Sequence, residues 1–77
     1  MTKEQFEQRL KEFPSANDVH VVGNGKFVAE MVVRSFEDVD EADRQERVYA
    51  FLRERFSDDE MMAVEYIITN APGDLAP

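Results

Sequence analysis

The 77-residue chain contains no cysteine. That absence excludes disulfide staples, thiolate metal sites and a cysteine nucleophile, and it suits a reducing compartment. Histidine occurs once, as His20, so imidazole chemistry has a single place to arise. No apolar run approaches the roughly 20 residues of a membrane-spanning helix. The opening segment MTKEQFEQRL is charged and periodic where a secretory leader needs a continuous apolar stretch, so no cleaved leader is expected and a cytoplasmic setting is.

Basic residues are also scarce, nine Lys and Arg against 17 Asp and Glu, for a formal net charge of −8. Such a balance repels phosphate backbones and removes the electrostatic term that drives nonspecific nucleic-acid binding. The few cations are dispersed; Arg44 with Arg47 and Arg53 with Arg55 come nearest to clusters. Neither nucleic acid nor membrane is an expected partner. Solubility, or adaptation to high salt, accounts for the acidity in bland terms.

What is present is enough apolar material for one core, 43% hydrophobic residues with six Phe spread along the chain. A single domain over 1–77 is expected, with a stability of about 3–5 kcal/mol for so short a chain. Thr2 followed by Gln5 fits a capping box, and Phe6, Leu10 and Phe13 recur at helical spacing before Pro14, which predicts a helix over 3–12. Residues 15–18 read as a polar turn. Val19 to Val22 then read as a strand, and Gly23-Asn24-Gly25 as a tight hairpin turn into a second strand with Phe27, Ala29, Met31 and Val33 on its covered side.

From 37 to 46 acids outnumber bases six to one, and Asp40, Glu41 and Asp43 stand where a helix N-terminus favours negative charge. The second helix, carrying Val48, Tyr49, Phe51, Leu52 and Phe56, is expected to end at SDDE, read as an acidic loop. A last strand is expected over 62–69 and a flexible tail over 70–77. The order α-β-β-α-β predicts an α+β fold, a three-stranded sheet with two helices on one face.

In this order the chain resembles the BolA-like family. The residues that carry the resemblance are VHVVGNGKF in the hairpin, SFEDVDEADRQERVYAFL across the turn and second helix, and MMAVEYIITNAP in the last strand. The resemblance implies a class II KH-like arrangement and a protein that binds monothiol glutaredoxins in iron–sulfur cluster handling. The family's cluster ligands are a histidine before the last strand and a His or Cys in the hairpin loop. Here Met62 stands at the first place and GNGK occupies the second. Asp38 replaces the glycine of the family's F-x-G turn, and Gln45 the middle histidine of its helix motif. Iron–sulfur ligation draws on thiolate or imidazole donors, so no ligand role carries over and no cofactor is expected.

Other chemistries find no constellation. Asp38, Asp40 and Asp43 are spaced like the first oxygens of a calcium loop, but the sixth and twelfth positions lack the required Gly and Glu, so helix capping explains them better. His20 has no sequence neighbour that would make it a catalytic base and is expected to face solvent from a strand. GNGKF lacks the spacing of a phosphate cradle. Of Met61 and Met62, one is expected to fill the core and the other to stay free as a contact. The chain therefore reads as a non-enzymatic adaptor that binds a protein partner such as a monothiol glutaredoxin, with Arg44, Arg47 and Met62 as contacts. The alternative is an acidic inhibitor or decoy, whose carboxylates over 37–46 engage the basic surface of a nucleic-acid-binding protein.

Overall fold

In the computed structural model, which describes residues 1–75, the first helix, α1 (Lys3–Lys11), starts where its capping box requires. Gln5 N–H donates to Thr2 Oγ1 at 3.1 Å while the Thr2 N–H donates to Gln5 Oε1 at 2.9 Å, so two otherwise orphaned donors satisfy each other's residues. Phe6 and Leu10 form its buried stripe, and Phe13 continues the contact beyond the helix end.

The chain enters β1 (Ala16–Asn24) earlier than the polar residues at 15–18 suggest. Ser15 adopts a positive φ of 69°, which turns the backbone, and Ala16 pairs with Val33 at once. A bulge between Ala16 and Asp18 absorbs the extra residue and restores alternation for Val19 and Val21. The strand starts among small or polar side chains because pairing uses the backbone.

Gly23, at φ 118°, and Gly25, at φ 88°, make the tight connection to β2 (Lys26–Val33). A Cβ at Gly23 would run into the Lys26 carbonyl oxygen, so the turn depends on glycine there. In β2 the expected alternation holds: Phe27, Ala29, Met31 and Val33 are buried. A 3-10 turn, Arg34–Phe36, then drives the Phe36 ring into the core against Phe13, with ring centroids 5.5 Å apart.

The second helix, α2 (Glu41–Arg53), is capped by Asp40, whose Oδ1 accepts the Asp43 N–H at 3.1 Å. SDDE does not end it. The helix stops at Arg53, and Ser57 opens a further short helix, α3 (Asp58–Met61), with its own capping box to Glu60. The acidic residues thus occupy a first helical turn, where the dipole favours them, instead of a loop. The last strand, β3 (Val64–Asn70), begins two residues later than expected because Met62 still belongs to the cap of α3.

The sheet order is β1-β2-β3, with β1 antiparallel and β3 parallel to β2. Its core face carries Val21, Phe27, Ala29, Met31 and Ile67 against Phe6 and Leu10 of α1 and Val48 and Leu52 of α2. This is the α+β arrangement expected, with α3 added between α2 and β3. Of the expected tail over 70–77, Asn70 ends the strand, Ala71 is buried and Pro72–Leu75 form a 3-10 turn. Residues 76 and 77 lie outside the described residues.

Candidate functional site

Three positions were expected to meet a partner, and the fold separates them. Arg44 points inward. Counting back four residues from Val48 along the buried stripe of α2 lands on it, and only 8% of the residue is exposed. Its guanidinium donates to the carbonyl oxygens of Val39 at 2.7 Å, Phe36 at 2.9 Å and Thr69 at 3.3 Å, and to Asp74 Oδ2 at 2.7 Å. The fork of donors that makes arginine a good contact residue is therefore spent inside the protein, and Arg44 holds the turn before α2, the end of β3 and the last 3-10 turn together. In this fold Arg44 serves a structural role.

Asp74 completes this bolt. Its Oδ2 also accepts the Ala71 N–H at 2.9 Å. That backbone hydrogen bond, followed by the Arg44 side chain, holds the Asp74 carboxyl below its ordinary pKa. Glu37 Oε1 accepts the Gly73 N–H, which ties the same turn to the segment before α2.

Gln45, at the place of the family's helix histidine, donates through Nε2 to the Ile67 carbonyl at 2.7 Å and to Glu41 Oε1 at 3.0 Å. Thr69 Oγ1 donates to the same Glu41 oxygen at 2.8 Å. With Arg44 and Gln45 taking the Thr69 and Ile67 carbonyls, α2 blunts the edge of β3 as a template for further strands. Neither role shows in the linear pattern, because both depend on which strand carbonyls the helix meets. Asp38, which stands at the place of the family's turn glycine, has a positive φ of 62°. Aspartate is among the few residues that tolerate the left-handed region.

Met62 and Arg47 face outward. Met62 is 69% exposed at the C-cap of α3, whereas Met61 packs against the core, so the pair divides as expected although neither lies in a strand. The hairpin reaches this corner: Lys26 Nζ donates to the Met62 carbonyl at 2.8 Å. Next to it a cleft of about 490 Å³ opens between the hairpin turn and the start of α1, lined by Lys3, Glu4, Gly23, Asn24 and Phe27 among others. Arg47 is exposed on α2, the helix on which α3 rests. Past Arg47, the Arg53 guanidinium lies 5.8 Å from the Tyr49 ring and that of Arg55 3.5 Å from the Phe51 ring. Partial burial pushes the Tyr49 hydroxyl above its ordinary pKa, with Arg53 opposing.

The hairpin and the turn before β3, the two places that hold cluster ligands in the BolA-like family, do meet here. Their donors do not suit a cluster. A methionine thioether and an ammonium stand at the corner, and neither replaces thiolate or imidazole. His20 sits elsewhere, paired across the strands with Glu30 and exposed on the far face of the sheet. Among the described residues, no three His, Asp or Glu side chains converge as a metal site, and no helix is long and apolar enough to cross a membrane. The acids of 37–46 are partly committed: Asp40 caps α2, Glu41 binds Thr69 and Glu37 binds Gly73.

No family model matches the chain, and no curated protein matches it in sequence. Among solved structures, the fold is similar to the crystal structure of a Bol-like protein from Babesia bovis, with a TM-score of 0.69 and 25% identity over 96% of this chain and 88% of that one.

Proposed function

From the BolA-like fold that this chain adopts, we propose that it is a small non-catalytic adaptor or regulatory protein, cytoplasmic, that binds a protein partner such as a monothiol glutaredoxin without supplying cluster ligands. The observation that carries the reading is the likeness to the Bol-like structure over 96% of the chain, combined with the meeting of hairpin and β3 turn at Met62. The contact surface is the corner formed by Met62 and the end of the hairpin, with Arg47 a separate exposed contact on α2. An exposed, flexible thioether next to a cation suits an adaptable contact. Arg44 supports this surface from beneath by fixing α2 against β3.

The alternative of an acidic decoy draws on carboxylates of which Glu37, Asp40 and Glu41 already accept internal hydrogen bonds, which favours the adaptor. The test is a titration of the isotope-labelled chain with a monothiol glutaredoxin, followed by amide shifts. Perturbations at Gly25, Lys26, Met62 and Arg47, weakened by Met62→Ala, are expected. No shift at saturating partner, or shifts confined to 37–46 that vanish in salt, would sink the adaptor reading.

A further inference from the structure

The sheet has a second face, and no element among the described residues covers it. Register places Val22 of β1, Val28 and Val32 of β2, and Tyr66 and Ile68 of β3 on this side. Val22 is 50% exposed, Tyr66 52% and Ile68 38%. A solvated sheet face ordinarily alternates to polar residues, and an apolar one marks a surface that is covered in use. A hollow of about 200 Å³ lies at its centre, lined by His20, Val22, Val28, Glu30 and Ile68.

We propose that this face is a self-association surface, covered by a second copy of the chain packed sheet to sheet. Charge selects that occupant. Of the 17 acidic residues, register puts Asp18 and Glu30 on this face, with Glu65 at the bulge on its margin. The strongly acidic segments, 37–46 and 57–60, belong to α2, α3 and the turns before them. A basic partner would find little to hold here. A second copy finds a match, because His20 and Glu30 are cross-strand neighbours at the centre of the face. About a two-fold axis each contact is made twice, so the imidazole of each copy meets the carboxylate of the other.

Size sets the strength. Three strands about 4.8 Å apart, each contributing some six residues of about 3.3 Å rise, give a face of roughly 15 by 20 Å. That is less than the roughly 800 Å² per partner of a standard stable interface, so the dimer is weak, half-formed at hundreds of micromolar. Each copy carries a net charge of −8, which opposes approach at long range and is screened by salt. Association through this face therefore strengthens as ionic strength rises.

Sedimentation velocity of the chain alone, from about 20 µM to about 1 mM in about 0.05 M and about 0.5 M NaCl, tests this. A dimer fraction that grows with concentration and is larger at high salt is expected, with concentration-dependent amide shifts at Val22, Val28, Glu30, Tyr66 and Ile68. Val22→Glu and Tyr66→Glu, both at exposed positions, are each expected to weaken association at least tenfold with unchanged far-ultraviolet circular dichroism. A monomer throughout, a dimer that salt dissociates, or shifts on α2 and α3 that neither substitution affects would overturn the proposal. The measurement contains no other protein, so its outcome is independent of the adaptor reading.

Discussion

Replacing Arg44 by methionine keeps most of the aliphatic stem and removes the guanidinium. The Phe36 and Thr69 carbonyls are buried acceptors of that group, and each loses its donor in a place water does not readily reach. An unmet buried acceptor costs about 1–3 kcal/mol, so the two together amount to about 2–6 kcal/mol. Val39 lies nearer solvent and can find water, and the exposed Asp74 is left out of the sum because its pairing is screened. Against a total of about 3–5 kcal/mol, the loss brings the folded state close to balance with the unfolded one. Urea denaturation followed by circular dichroism measures it: at a slope of about 1 kcal/mol/M the midpoint falls by about 2 M or more. Arg44→Lys is expected to recover only part, since one ammonium cannot span carbonyls on three sides. A destabilisation by Arg44→Met below about 0.5 kcal/mol would refute the role assigned to this residue.

Three further outcomes follow from local geometry. Asp38→Gly is expected to raise stability by up to about 1 kcal/mol, because glycine adopts the φ of 62° without the steric cost an L side chain carries, and Asp38→Val to lower it; thermal unfolding reads both. Ser57→Ala removes the cap of α3 and is expected to cost about 1 kcal/mol, with faster amide exchange at Glu60 and Met61. Asp74→Asn tests the acid limb. The Asp74 carboxyl is held below its ordinary pKa in the fold, so its charged form contributes stability that is present above the unfolded-state pKa and is lost as pH falls through the lowered folded value. The difference between wild type and Asp74→Asn in denaturation is thus expected to be open at neutral pH and to narrow through the carboxylate range. A gap independent of pH would place the effect in packing instead of charge.

Periodicity and punctuation, which act over a few residues, were legible in the chain as written. Thr2 and Gln5 mark the start of α1, Gly23 and Gly25 the hairpin, and the alternation from Phe27 to Val33 the covered side of β2. The hairpin and turn order also made the likeness to BolA-like proteins visible, and the missing cluster donors with it. Less legible were β1 before Val19 and the short α3, whose residues carry little apolar signal and are held by backbone pairing and by a cap.

Identity and spacing along the chain thus determine the elements, their order and the donors that are lacking, because propensity, capping and alternation are properties of neighbours in sequence. Tertiary structure alone decided what each polar side chain is for. Arg44 and Arg47 are three residues apart on one helix, yet the first is enclosed by oxygen acceptors from three segments and the second stands in water. The acceptors that claim Arg44 lie as far as 30 residues away, and only folding brings them within hydrogen-bond reach.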